Sequence, residues 1–67
     1  MQHKSRLTRT EFSNNNSYFD LKVEAVTHVW DTEGNQKKFY YNKTHETLTI
    51  LDNIEAIYVH YIPLENK

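Results

Sequence analysis

Apolar and polar residues alternate along much of this chain, and the alternation predicts strands. From residue 18, Phe19, Leu21, Val23 and Ala25 take turns with Asp20, Lys22 and Glu24, the period of two that marks a half-buried strand. Beyond Ala25 the phase slips, since Val26, Val29 and Trp30 follow. A bulge near residues 25–27 accounts for the slip. A helix over residues 18–30 is the rival reading: Ser17 can cap it, and Leu21, Ala25 and Val29 with Val26 and Trp30 line one helical face. It would change the class from all-β to α+β. The β-branched and aromatic content favours the strand.

The rest of the pattern is punctuated by turns. Residues 31–35 carry the single glycine, Gly34, in a segment that begins with Asp31 and ends with Asn35. Such a residue supplies the positive φ that closes a short hairpin. The returning strand covers residues 36–42 and contains Phe39, Tyr40 and Tyr41, which puts bulk on both of its faces. A second turn at 42–46 leads to a strand at 47–51 with Leu48 and Ile50 inward, and Asp52 with Asn53 signals a third turn. In the last strand, 54–62, Ile54, Ala56, Tyr58, His60 and Ile62 fall on one face, and Ile57, Val59 and Tyr61 on the other. A strand apolar on both faces is usually central and covered on both sides. Pro63 cannot donate to a ladder and ends it. The expectation is an all-β or β-dominated chain, a small antiparallel meander of about four strands. A sheet of that size with one bare face is marginal, so closure into a small barrel or completion by a second copy is expected to cover it.

The first sixteen residues differ in charge. Lys4, Arg6 and Arg9 stand there against Glu11 alone, whereas the remainder has five basic and eight acidic residues. Residues 1–16 are therefore read as a basic, flexible N-terminal arm and 17–67 as a single small β-rich domain, because termini fray unless tied down. The alternative is a short strand at 6–12 added to a sheet edge.

Composition narrows the class further. A chain of 67 residues with 37% apolar and 13% aromatic content has a thin core that depends on its rings. There is no cysteine, so disulfides, thiolate metal sites and a thiol nucleophile are excluded. A net charge of −1 provides no global attraction to nucleic acid or anionic membrane. No stretch is apolar enough to span a bilayer, and the basic N-terminus has no apolar signal-peptide core. A cytoplasmic protein is expected, and the sequons at Asn15 and Asn42 are read as chance.

Candidate chemistry is sparse. His3, His28, His45 and His60 form no pair at metal-ligand spacing, no serine lies in a nucleophile-elbow context, and one glycine cannot build a phosphate loop. No catalytic residue, metal or cofactor is assigned, and the chain is read as a non-enzymatic binding protein. The leading expectation is a protein-binding regulator or inhibitor, of the kind that small virus- or mobile-element-encoded chains provide, with self-association as a further mode. Its contacts are assigned to Trp30, Tyr40, Tyr58 and His60, side chains that suit interfaces. The alternative is a single-stranded nucleic-acid module. It would use Arg6, Arg9, Lys37, Lys38, Tyr40 and Lys43, since the KKFYYNK run at 37–43 interleaves cations with rings.

Overall fold

The structure, a computed structural model, describes residues 3–64; the ends of the expected arm (1–2) and domain (65–67) lie outside the described residues. Within them the chain is all-β, without a helix, and forms seven strands: β1 (His3–Thr8), β2 (Glu11–Ser13), β3 (Asn16–Asp20), β4 (Ala25–Asp31), β5 (Phe39–Asn42), β6 (Thr47–Ile50) and β7 (Ala56–Ile62). They build two antiparallel sheets, one of three strands in the order β1-β7-β4 and one of four in the order β2-β3-β6-β5. Neither closes into a barrel.

Six buried side chains form one core: Phe19, Leu48 and Ile50 from the four-stranded sheet, and Val29, Ile57 and Val59 from the three-stranded one. The two sheets thus cover each other's apolar faces. The last strand is central, as its two apolar faces imply, with β1 on one side and β4 on the other. Ile57 and Val59 point to the core while Tyr58 and His60 point away from it.

The stretch 18–30 is not one strand. It runs as β3 in the four-stranded sheet and as β4 in the three-stranded sheet, and residues 21–24 cross between them. The Leu21 amide donates to the Glu46 carbonyl (3.0 Å) and the Glu24 amide to the Ile62 carbonyl (2.8 Å), so each end of the crossing is tied to a different sheet. Leu21 and Val23 still turn inward across the gap, which is why the alternation persists where the ladder does not. The bulge lies between Val26 and His28, where the β4–β7 register shifts.

The segment read as an arm is likewise built into the fold. β1 pairs with β7 from His3 opposite Tyr61 to Thr8 opposite Ala56, and β2 pairs with β3. The chain changes sheets between neighbouring residues: the Arg9 amide donates to the Glu55 carbonyl (2.9 Å) and the Thr10 amide to the Tyr18 carbonyl (2.8 Å). Leu7 anchors this segment by packing against the core. The polar residues between β2 and β3 form a hairpin turn, with Asn14 and Asn15 at φ 53° and 64°. Two successive positive φ values between paired strands are the geometry that matches the twist of a hairpin.

The turn at 31–35 forms as expected. Gly34 has φ 89°, the Asp31 amide donates to the Asn35 carbonyl at 2.8 Å and the Gly34 amide to the Asp31 carbonyl at 3.1 Å. The return is short. After the bridge between Trp30 and Gln36 and the bond from the Lys37 amide to the Val29 carbonyl (2.8 Å), the chain leaves to become β5 in the other sheet.

Candidate functional site

The β4 bulge decides what the outer face of the three-stranded sheet displays. Val26 lies opposite Tyr61 and so faces inward; one residue is then skipped, and His28 falls opposite His60 and Trp30 opposite Tyr58. Residues opposite one another in a ladder share a face. β1 adds Lys4 opposite His60 and Arg6 opposite Tyr58. The result is two rows across three strands, Lys4–His60–His28 and Arg6–Tyr58–Trp30. The Thr27 hydroxyl, displaced by the bulge, donates to the His60 carbonyl at 3.2 Å.

The rings are in mutual contact. His28 stacks on Trp30 with centroids 5.5 Å apart and planes 12° apart. His60 meets Trp30 edge-on at 4.8 Å, and His28 and His60 are perpendicular at 6.1 Å. The Lys4 ammonium lies 5.5 Å from the Tyr58 ring centre and 6.0 Å from that of Trp30, a distance at which a cation is attracted to the ring face. Trp30, Tyr58 and His60 are half-buried, held by their neighbours, while Lys4, Arg6 and His28 are exposed. Between this face and the turn that carries Glu33 and Gly34 runs an open groove of about 520 Å³.

The cations divide into two groups. Arg9 pairs with Glu55 (3.3 Å) and donates to the Asn53 side chain (2.7 Å), Lys22 pairs with Glu46 (3.8 Å), Lys43 with Glu24 (2.9 Å), and Lys37 with Asp52 (3.2 Å) and Asp31 (3.9 Å). Among the described residues Lys4, Arg6 and Lys38 have no carboxylate within ion-pair distance. Two of these three lie on the ring-bearing face.

The structure therefore brings together three of the four residues assigned to protein contact, Trp30, Tyr58 and His60. Tyr40 is exposed on the outer face of the other sheet, opposite Thr49. The residues assigned to nucleic acid are dispersed. In the KKFYYNK run Phe39 and Tyr41 pack against the core, Lys37 and Lys43 are held by carboxylates, and only Lys38 and Tyr40 are fully presented. Arg9 lies over the Phe12 ring at 4.8 Å, and Arg6 belongs to the Tyr58 row. Lys4 and His28 are outside the set that the sequence assigns to protein contact. The spacing of His28 to Trp30 repeats that of Tyr58 to His60, a period-two signal that points to His28; Lys4 joins only through the β1–β7 register.

Two carboxylates are held below their ordinary range. Asp31 is stabilised as an anion chiefly by the Asn35 amide, with the Asn35 side chain, the Glu33 amide and Lys37 adding to this and partial burial opposing it. For Asp52 the Asn53 amide dominates, followed by Lys37. Both act in turns and neither faces the ring cluster. Among the described residues, no group of three or more His, Asp or Glu side chains is placed to hold a metal ion and no helix is long and apolar enough to cross a membrane. No family model, no curated protein and no solved structure matches this chain.

Proposed function

We propose that this chain is a non-enzymatic protein-binding module, a regulator or inhibitor acting in the cytoplasm, and that its contact surface is the outer face of the three-stranded sheet. One observation carries the reading: Trp30 and His60 are in ring contact, and Tyr58 lies opposite Trp30 and shares the Lys4 ammonium with it, on a sheet face over which no other layer of described residues lies. Trp, Tyr and Arg are the side chains that most often dominate binding energy. Rings already locked by their neighbours lose little freedom when a partner arrives. The cation over the rings and the groove beside them add a polar rim and a recess for an anchoring side chain.

A second reading is favoured by Lys4 and Arg6, whose lack of carboxylate partners beside two rings also suits a single-stranded nucleic acid. Against it, the Trp30 ring already has His28 stacked on it and His60 at its edge, which leaves less open ring for a base.

The test is affinity capture from a lysate of the source cell by the wild type and by Tyr58→Glu, with and without nuclease. Retention of one protein in stoichiometric amount, insensitive to nuclease and lost with the variant, is the expected result. Capture of nucleic acid that elutes at high salt, through counterion release, would overturn the reading.

A further inference from the structure

We infer that the open edge of β1 is a strand-addition site for an extended acidic segment of a protein partner; the inference rests on the protein-binding reading of the adjoining face. β1 is the end strand of its sheet, and among the described residues nothing hydrogen bonds to its outward edge. A free edge is a row of unpaired backbone donors and acceptors that readily takes another strand. The other edges are less available. β2 has three residues and β5 four, and the outer side of β4 is partly occupied by the Trp30–Gln36 bridge and the Lys37–Val29 bond. β1 provides six residues.

Charge specifies the occupant. β1 contains Lys4 and Arg6 and no acidic residue, and both cations lack a carboxylate partner among the described residues. They share one face two positions apart, about 6.6 Å along the strand. An added strand with acidic residues at alternate positions presents its carboxylates at that same interval. On the opposite face it would lie beside Leu7, which is only partly buried where it packs on the core, so the intervening positions are apolar. Of the acidic residues that line a recess with Arg6, Asp31 and Glu55 are engaged by Lys37 and Arg9, and Glu33 makes no ion pair among the described residues. Glu33 lines the groove with Lys4, which keeps the partner's acidic residues over β1 and out of the groove. A second copy is disfavoured by the same charges, because antiparallel self-pairing centred on Ser5 sets Lys4 against the other copy's Arg6.

The test uses the full chain labelled with ¹⁵N, titrated with three probes: a short capped peptide alternating glutamate and valine, its lysine–valine counterpart, and a short oligothymidylate. Amide shifts and hydrogen-exchange protection are read at residues 3–8, together with the Trp30 indole resonance. We expect the glutamate peptide alone to protect the β1 amides. Lys4→Glu with Arg6→Glu should weaken it about tenfold or more, and Lys4→Gln with Arg6→Gln by a smaller factor. Both variants should keep the core resonances in place, since these side chains are exposed, while the Trp30 and Tyr58 ring resonances move with loss of the Lys4 cation, so each variant's shifts are referred to its own peptide-free spectrum. Equal binding of both peptides, or of neither, overturns the inference. A glutamate peptide that shifts the Trp30 indole without protecting β1 overturns strand addition and leaves the protein-binding face standing. An oligothymidylate that shifts the indole where neither peptide binds overturns both.

Discussion

The hydroxyl of Tyr41 donates a hydrogen bond to the carbonyl oxygen of Leu21 at 2.7 Å. The Tyr41 hydroxyl oxygen in turn accepts from the Val23 amide at 3.1 Å, and the hydroxyl has the Val23 carbonyl as a second acceptor at 3.1 Å. One side chain from β5 thus satisfies the backbone where the chain crosses between sheets and has no ladder partner. Tyr41→Phe leaves these partly buried groups unpaired, at a cost of about 1–3 kcal/mol. In a domain of this size that lowers the thermal midpoint by about 4–8 °C per kcal/mol. Urea and thermal unfolding measure it; an unchanged midpoint would mean that water replaces the hydroxyl at no cost.

Ser17 is the buried polar residue of the described core, with no exposed surface. Its hydroxyl donates to the Asp52 carbonyl at 2.9 Å and accepts from the Ile54 amide at 2.8 Å, which fastens the turn between β6 and β7 to β3. Ser17→Ala should cost about 1–3 kcal/mol by stranding two backbone groups. It should also speed hydrogen exchange of the Ile54 amide more than that of the core strands. Uniform acceleration across all strands would assign the loss to global stability instead.

Two turns predict changes of opposite sign. Asn15 stands second in a two-residue hairpin loop with φ 64°, a position at which glycine carries no steric penalty. Asn15→Gly should raise stability by about 0.5 kcal/mol. Gly34 has φ 89°, and a Cβ added there meets nothing within 4 Å, so Gly34→Ala suffers from backbone conformation alone, about 1 kcal/mol. Chemical denaturation of both variants checks the signs.

Acid should loosen the turns before neutral pH affects them. The folded pKa values of Asp31 and Asp52 lie below the ordinary 3.8. Their contribution is therefore fully present above that value and is lost as pH falls through the lowered ones. The urea midpoint should stay level down to about pH 4 and decline below it. Asp31→Asn with Asp52→Asn should flatten that decline. A midpoint that fell equally in the variant would place the acid sensitivity elsewhere.

The alternation of residues, the turn at Gly34 and the two apolar faces of 54–62 were sufficient to identify antiparallel strands, a central last strand and a bulge in 25–27, because burial imposes a period of two wherever one face meets a core. That same period concealed the sheet changes. Leu21 and Val23 point inward in a crossing just as they would in a strand, so nothing local separates β3 from β4. Charge sets residues 1–16 apart in the sequence, while the place of β1 in its sheet depends on β7, which lies more than forty residues away. Trp30, Tyr58 and His60 are each legible in the sequence as candidate contact residues. Their meeting, the inclusion of His28 and Lys4, and the separation of Tyr40 followed only from the pairing register and from one skipped residue in β4. Pairing between strands distant in sequence is a property of the folded chain, and it decides which side chains share a surface.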